Sequence, residues 1–300
     1  MKVLNVLKDP YNLLVFLFDK GWFKRMPDKC YLQMKYLAKT KRKLSLDYPE
    51  LFNEKLQWLK LYDRNSKYTI MVDKYRVREY IAERIGEQYL IPLIGVWNSP
   101  DEIDFTLLPN QFVMKCNHNS GLGMCICIDK EKLDIKKVKD ELRKGLKQDY
   151  YLTGREWPYK DVPRKIIAEQ YMKSGDGGLT DYKIHCFNGI PKFILVCSDR
   201  FTESGLTENF YTSEWKLMPV KRPNIPNAKI QLQKPEKLEK MIALAEELSK
   251  NIPFLRVDFY LVEGNIYFSE LTFFPASGFV PFEPEEWDRI FGEWLKLPNS

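Results

Sequence analysis

The chain has 300 residues, of which 44% are hydrophobic and 14% aromatic, and it carries a formal net charge of +6 at pH 7. This composition excludes a disordered chain, and the length is enough for one large domain or two to three smaller lobes. The mild positive charge favours anionic partners such as nucleotides, acidic sugars or lipid headgroups, and we predict no nucleic-acid partner.

The six cysteines are irregularly spaced and indicate no disulfide framework, and the first residues do not have the pattern of a secretory signal. The most apolar run near the start, residues 13–18, is far shorter than the roughly 20 residues that span a bilayer. We therefore predict a cytoplasmic protein, with a peripheral position at the inner membrane face left open.

Residues 1–70 are predicted to form a helical N-terminal region. Its part from residue 20 to residue 43 holds nine lysines and arginines against one acid, Asp28. One interpretation is a solvated helical face. The other is a surface that binds anionic lipid or a polyanionic substrate, which would bring the protein to the membrane.

The rest of the chain mixes strands and helices without repeated βαβ units, which excludes a doubly wound sheet. One helix follows Asp73, which would cap its start, and Gly86 would end it. Residues 149–163 and 219–227 are predicted loops. Further helices are expected at residues 131–148 and 235–250, and strands at residues 90–97, 111–116, 124–128, 165–172, 181–187, 192–198, 254–262 and 266–273.

The sequence NHNSGLG connects the second and third of these strands. Ser120, Gly121 and Gly123 leave backbone N–H groups sterically open, as a phosphate-binding loop requires, and Lys115 on the incoming strand adds a positive charge. The segment lacks the Walker pattern, because no Gly-Lys-Ser/Thr follows and the next element is a strand. A zinc site built from His118 and the neighbouring cysteines is the weaker alternative, since structural zinc sites usually use Cys-x-x-Cys pairs.

The last two predicted strands form a hairpin, and a three-residue loop at 263–265 places Asp258 opposite Glu270 and Arg256 opposite Thr272. A two-residue loop would shift the register by one and separate the two carboxylates, whereas the apolar residues of the other face support the first register. Opposed carboxylates repel each other and need a cation or a shared proton. Oxygen ligands without His or Cys favour Mg²⁺ or Mn²⁺ carried with a phosphate, and a structural Arg–Asp pair is the alternative.

The order of these features resembles the ATP-grasp superfamily: a Gly-rich hairpin, an internal strand with the sequence EQYM, and a late Arg-x-Asp and Glu-x-Thr strand pair. Within that superfamily the chain looks like the TupA-like branch of teichuronopeptide biosynthesis, from about residue 45 to residue 298. The segments that carry this likeness are EKLQWLKLYD (54–63), DKYRVREYI (73–81), LIPLIGVW (90–97), KCNHNSG (115–121), DYKIHCFNG (181–189), RVDFY (256–260), YFSELT (267–272) and GEWLKLP (292–298).

The resemblance implies an α+β fold in which two lobes, residues 71–168 and 169–300, clamp ATP. Lys74 and Lys115 would hold the ATP phosphates. Residues 117–123 would form a mobile loop that closes over those phosphates, with contacts from His118, Ser120, Gly121 and Gly123. The interlobe strand would meet the adenine and, just beyond it, the ribose, with the residues Glu169, Gln170, Tyr171, Met172 and Asp176.

The resemblance also implies that the late strand pair holds the metal. Asp258, Glu270 and Thr272 would be the Mg²⁺ ligands, and Lys183 and Arg256 would be catalytic, close to the transferred phosphoryl group and the acyl phosphate. Thr272 stands where many superfamily members have an asparagine, so the number of metal ions stays open.

The activity that the resemblance implies is an ATP- and Mg²⁺-dependent carboxylate–amine ligase that forms an amide through an acyl phosphate. The substrates would be a uronic acid of a bacterial surface or capsular polysaccharide and an amino acid, or the amino acids of a cell-wall peptide. Asp199 and Arg200 would face the substrate or pair with each other. A glycosyltransferase of the same pathway is the alternative, although residues 256–258 lack an Asp-x-Asp site, and a non-catalytic membrane or polyanion adaptor is a third hypothesis.

Overall fold

The computed structural model describes residues 9–173, 178–200, 202, 205–229 and 231–298. The α-helices within them are α1 (Pro10–Asp19), α2 (Asp28–Thr40), α3 (Phe52–Tyr62), α4 (Lys67–Val72), α5 (Val77–Arg84), α6 (Ile135–Lys147), α7 (Tyr151–Gly154), α8 (Leu238–Ser249) and α9 (Glu286–Trp294). The strands are β1 (Leu93–Trp97), β2 (Phe112–Cys116), β3 (Met124–Cys127), β4 (Ile166–Gln170), β5 (Asp181–Phe187), β6 (Ile190–Ser198), β7 (Thr207–Thr212), β8 (Phe254–Val262) and β9 (Asn265–Thr272).

These strands form two antiparallel sheets. The first sheet has four strands in the order β1–β4–β2–β3, and the second has five in the order β7–β6–β5–β8–β9. A parallel bridge between Leu90 and Phe268 connects the chain before β1 to β9, so the two sheets meet there. The arrangement confirms the predicted α+β class, in which strands and helices mix without repeated βαβ units.

Strand β7 and helix α9 differ from the sequence prediction, which has no regular element at either place. Strand β7 begins with Thr207, Glu208 and Asn209, which are polar and buried, so the apolar–polar alternation that marks a strand is missing. Hydrogen bonds replace apolar contacts there: Thr207 Oγ1 lies 2.8 Å from Ser198 Oγ, and Asn209 Oδ1 accepts from the Ala228 N–H at 2.8 Å.

Helices α3 and α4 pack on the second sheet and share its core. Phe52 of α3 contacts Phe187, Phe254 and Phe291, with ring centroids 5.5, 5.0 and 6.2 Å apart. A second cluster joins α1 and α2 to the segment that follows β9, through Phe18, Tyr31, Leu32, Tyr36, Leu44, Leu46 and Phe279. The predicted division of the chain into an N-terminal region and two lobes, at residues 70 and 168, stays a prediction.

No helix within the described residues has the length and apolar character needed to cross a membrane.

The β8–β9 hairpin pairs Asp258 with Glu270, as predicted, but by a different route. Its loop has two residues, Glu263 and Gly264, whose φ angles of 51° and 73° are those of a type I′ turn. The predicted three-residue loop is therefore wrong. A bulge leaves Ser269 without a partner between the pairs Phe259–Phe268 and Asp258–Glu270, and this extra residue restores the register that the short loop shifts.

The turn can be tested by substitution at its two positions. Gly264→Val should lower the free energy of unfolding by about 1–2 kcal/mol, because a side chain disfavours the left-handed conformation. Glu263→Asn should raise it by up to about 1 kcal/mol, because Asn-Gly is the preferred type I′ pair. Urea denaturation measures both, and equal stabilities of the two variants would contradict this turn.

Candidate active site

Strand register brings three charged side chains into one row across the second sheet. Lys183 of β5 pairs with Asp258 of β8, and Asp258 pairs with Glu270 of β9. Two residues earlier on β8, Arg256 pairs with Thr272. Paired residues on neighbouring strands, and residues two apart on one strand, point to the same face. The sheet thus gathers two cations, two carboxylates and a hydroxyl on one surface.

Asp258 is fully buried and lies between two cations. Its Oδ1 accepts from Arg256 Nε at 2.7 Å, and its Oδ2 accepts from Arg256 Nη2 at 2.7 Å and from Lys183 Nζ at 2.6 Å. Burial alone would raise the pKa of Asp258, but Arg256 and Lys183 outweigh it and hold that pKa below its ordinary value. Asp258 is therefore an anion whose position is fixed by both neighbours.

Glu270 is the more open of the two carboxylates. Its Oε1 accepts from Arg256 Nη2 at 2.8 Å and from Thr272 Oγ1 at 3.4 Å, and a third of its side chain is exposed. Within the described residues no group of three His, Cys, Asp or Glu side chains is placed to hold a metal ion. Two carboxylates and a hydroxyl instead fit Mg²⁺ that arrives with nucleotide phosphates, since such ions use only one or two protein carboxylates.

The base of the NHNSGLG loop is fixed by a polar network. Asn117 Nδ2 donates to Asp73 Oδ1 and to the Pro163 carbonyl, both at 2.8 Å, and Asn117 Oδ1 accepts from the Lys165 N–H at 2.7 Å. Asp73 Oδ1 also accepts from the N–H groups of Tyr75 and Arg76, so it caps the turn before α5. The predicted capping of the helix itself by Asp73 is wrong, because α5 begins at Val77 and follows Arg76. Lys74 therefore sits beside the loop, and its Nζ donates to the Asn119 carbonyl at 2.5 Å.

The two glycines of the loop have different surroundings. At Gly121 (φ 83°) an added Cβ would meet no atom within 4 Å, so the tip is open to an approaching ligand. At Gly123 (φ 71°) the same Cβ would lie 2.8 Å from both Gly145 Cα and Cys116 Sγ, so the loop is packed against α6. Ser120 is exposed, whereas His118 is buried with its Nε2 3.1 Å from the Gln148 carbonyl oxygen.

Lys115 lies on β2 of the first sheet, where it forms an ion pair with Glu169 of β4. Its Nζ is 2.6 Å from Glu169 Oε2, and Arg78 Nη1 is 3.4 Å from Glu169 Oε1. Lys74 lies close enough to Glu270 and Glu169 for both carboxylates to raise its pKa, although burial has the larger effect and lowers it. Lys74 thus interacts electrostatically with one carboxylate of each sheet, Glu169 of β4 and Glu270 of β9.

The predicted adenine segment lies where the two sheets meet. Glu169 and Gln170 end β4, and Met172 is buried against Ile91, which precedes β1, and Val262 of β8. Tyr171 is half-buried. The predicted ribose ligand, Asp176, lies outside the described residues. The contact of the segment with adenine stays a prediction.

Asp199 and Arg200 have different partners. Asp199 Oδ2 accepts from Ser198 Oγ at 3.1 Å and from Thr207 Oγ1 at 3.0 Å. Arg200 Nη2 donates to Asp181 Oδ2 at 3.1 Å, and that oxygen is also 3.7 Å from Lys183 Nζ. Arg200 is thereby connected to the charged row.

A cavity of about 360 Å³ connects the charged row to the loop tip and to the N-terminal helices. Its lining falls into three groups, and the first comes from the loop tip and the second sheet, with Ser120, Arg256, Glu270 and Thr272. The second comes from the N-terminal helices: Asp19, Lys35 and Lys39. The third comes from the segments around α7 and after β9: Tyr150, Thr153, Glu156, Tyr159, Phe274, Ala276, Ser277, Phe279 and Val280.

Sequence reasoning missed most of this cavity. Residues 149–163 were predicted as a loop, yet they contain four aromatic residues, and that density is the signal that they are packed. Glu156 is buried there, and burial raises its pKa. Lys60 is buried nearby, donates to the Gly154 and Ser277 carbonyls at 2.8 Å each, and has its pKa lowered by burial to about 7.

Comparison with protein families finds one match that covers most of the chain. A family model described as TupA-like ATPgrasp matches residues 54–296. The match begins within α3, so α1 and α2 lie outside it. No curated protein matches the chain.

Solved structures give more distant matches. The D-alanine–D-alanine ligase from Bacillus anthracis complexed with ATP is 18% identical, with a TM-score of 0.40, over 68% of this chain and 53% of that chain. The D-alanine–D-alanine ligase from Helicobacter pylori is 14% identical, with a TM-score of 0.42, over 81% and 69%. The D-cycloserine synthetase DcsG is 13% identical, with a TM-score of 0.40, over 76% and 71%. The chain thus spans about half the length of the first of these structures.

The ion network should dominate the stability of the second sheet. Arg256→Met leaves Asp258 and Glu270 without their shared cation and should lower the free energy of unfolding by about 3–5 kcal/mol. The matched control is Arg289→Met, which removes an exposed pair with Glu293 and should cost less than about 1 kcal/mol. Urea denaturation at pH 7 gives both values, and equal losses would contradict a buried network.

Proposed function

Because the chain belongs to the TupA-like ATP-grasp family, we propose that it is an ATP-dependent carboxylate–amine ligase that forms an amide through an acyl phosphate. The observation that carries this proposal is the row Lys183–Asp258–Glu270 with Arg256. Arg256 and Glu270 line a cavity that also reaches the tip of the Gly-rich loop at Ser120. Cations, carboxylates and open backbone N–H groups are what phosphoryl transfer between two anions requires.

The nucleotide would lie between the sheets. Lys74, Lys115 and the open tip at Ser120 and Gly121 would hold its phosphates, and the segment from Glu169 to Met172 would hold its base. The space beside Gly121 is open, which would let phosphate oxygens approach the backbone N–H groups of the tip. Both lysines already lie beside carboxylates, so binding of phosphates would exchange one anionic partner for another.

Asp258 and Glu270 would bind Mg²⁺ together with the phosphates, and Mn²⁺ has the same ligand preference. When bound, the ion neutralises the charge that develops on the phosphoryl oxygens. Thr272 donates a hydrogen bond to Glu270, so it orients that carboxylate whether or not its hydroxyl also reaches the ion.

Lys183 and Arg256 would act on the reacting group. In the first step a carboxylate oxygen of the substrate attacks the γ-phosphorus of ATP and ADP leaves. In the second step an amine attacks the acyl carbon, the C–O bond to phosphate breaks, and the amine loses a proton. Both steps gather negative charge beside the two cations, which stabilise it best where water is excluded.

The finer proposal is that the carboxylate belongs to a uronic acid of a surface polysaccharide and the amine to an amino acid. This choice rests on the resemblance of the sequence to the branch of teichuronopeptide biosynthesis. Cytoplasmic location with peripheral membrane contact would suit a lipid-linked sugar. The basic residues Lys20, Lys24, Arg25, Lys29, Lys41, Arg42 and Lys43 are exposed, which supports that contact.

Nucleotide binding can be measured without knowing either substrate. Glu270→Gln should weaken binding of Mg-ADP about tenfold or more, since a contact to a charged group contributes roughly 1.5–3 kcal/mol. Glu293→Gln changes an exposed glutamate of α9 and should leave the affinity unchanged. Isothermal titration gives both affinities, and no binding of Mg-ADP by the unaltered protein would contradict the proposed function.

Turnover is the second test. With ATP, Mg²⁺, D-glucuronate or D-galacturonate and a panel of amino acids, the protein should release ADP and phosphate and form a product whose mass is the sum of both substrates less one water. Lys183→Met should reduce the rate about 100- to 1000-fold, the usual effect of removing a group that stabilises developing charge. Transfer from a sugar nucleotide without ADP release would favour the glycosyltransferase instead.

A further inference from the structure

Helices α1 and α2 lie outside the segment that matches the family, yet they form one wall of the cavity. Asp19, at the end of α1, and Lys39, on α2, are exposed at its edge. Lys35 of α2 also lines the cavity, but it is only 6% exposed. This one residue of the basic run is thus turned inwards, unlike its exposed neighbours.

The contacts of Lys35 are few and neutral. Its Nζ donates to the Thr153 carbonyl and lies 3.3 Å from the Tyr31 hydroxyl oxygen. The rings of Phe18, Tyr31 and Phe279 surround it, with centroids 5.7, 5.5 and 5.4 Å from Nζ. Among the described residues no carboxylate lies within ion-pair distance of Lys35, and two of its three N–H groups are accounted for.

A buried ammonium without a counter-charge is unfavourable, and an anion that reaches it from the cavity would be bound strongly. Burial lowers the pKa of Lys35 to about 8, so the group is mostly protonated at pH 7. The Lys35 ammonium has one N–H group without a partner and one positive charge. A carboxylate, with a single negative charge, matches it better than a phosphate dianion does. The other end of the cavity holds Arg256 and Glu270, so Lys35 is a second cationic point for a molecule that extends from the reacting end.

We propose that Lys35 binds a carboxylate of the substrate that occupies this cavity, so that the N-terminal helices complete the substrate site. This inference rests on the proposed ligase function. This carboxylate is not the one that reacts: it is either that of the amino acid whose amine reacts or that of a second acidic sugar beside the reacting one. The aromatic rings around Lys35 limit access by water and strengthen the ion pair.

The test uses titration of the full chain, saturated with Mg-ADP, with L-glutamate and with a disaccharide of two D-glucuronic acid residues. Their counterparts without carboxylates, L-glutaminamide and the methyl diester of the disaccharide, serve as comparators. Lys35→Met should weaken binding of one of the two acids about tenfold or more, and leave both comparators and Mg-ADP within twofold. Lys29→Met, which changes an exposed lysine on the same helix, should change none of these affinities.

The outcomes separate the two proposals. Loss of glutamate affinity alone assigns Lys35 to the amino acid, and loss of disaccharide affinity alone assigns it to the second acidic sugar. Unchanged affinity for both acids, or no binding of either by a protein that binds Mg-ADP, overturns the role of Lys35 and leaves the ligase standing. Failure of the unaltered protein to bind Mg-ADP overturns the ligase itself.

A measurement on the unaltered protein covers the case in which Lys35→Met does not fold. Affinity for the recognised acid should fall as pH rises through and above about 8, because Lys35 loses its proton there. Besides burial, which lowers the pKa of Lys35, two neighbouring acids, Asp19 and Glu156, raise that pKa, whereas two neighbouring cations, Lys39 and Arg155, lower it. Tyr31 does not titrate in this pH range, because burial raises its pKa to about 12. Affinity that stays constant from pH 7 to pH 9.5 would overturn the proposal.

Discussion

The buried carboxylate of Asp258 is the constraint on which the second sheet depends. An isolated carboxylate at this depth would be protonated or would destabilise the fold by several kcal/mol. It remains an anion because Arg256, two residues earlier on the same strand, and Lys183, on the neighbouring strand, both contact it. The pairing of β5 with β8 is therefore fixed by charge as well as by hydrogen bonds.

The same constraint explains why the hairpin of β8 and β9 needs its bulge. Glu270 lies beside Arg256 because it pairs with Asp258. A two-residue turn alone would shift the register by one residue and separate the two carboxylates. Ser269 takes up the difference. A short, well-defined turn and the meeting of two carboxylates are thus both kept, and bulges are commonly found next to active sites for this reason.

Sequence patterns correctly predicted that Asp258 pairs with Glu270 and that the NHNSGLG loop connects two strands, because both follow from local patterns along the strands. The bulge escaped prediction since one unpaired residue changes no pattern near Asp258. Lys35 could not be distinguished within its basic run, because its burial depends on Thr153 and Phe279, more than one hundred residues away. The roles of the nucleotide-binding residues stay predictions for a similar reason: they depend on a bound molecule.

The packing of Gly123 limits how far the Gly-rich loop can move. Its Cα is packed against Gly145, Asn119 donates to the Gly145 carbonyl at 3.2 Å, and Asn117 is hydrogen-bonded to two separate segments, at Asp73 and at residues 163–165. Only Ser120, Gly121 and Leu122 lie between these fixed points, and three residues extend over at most roughly 10 Å. The loop is a short flap hinged at both ends, so any closure over a nucleotide is a local rotation about Gly121, and the β2–β3 hairpin stays in place.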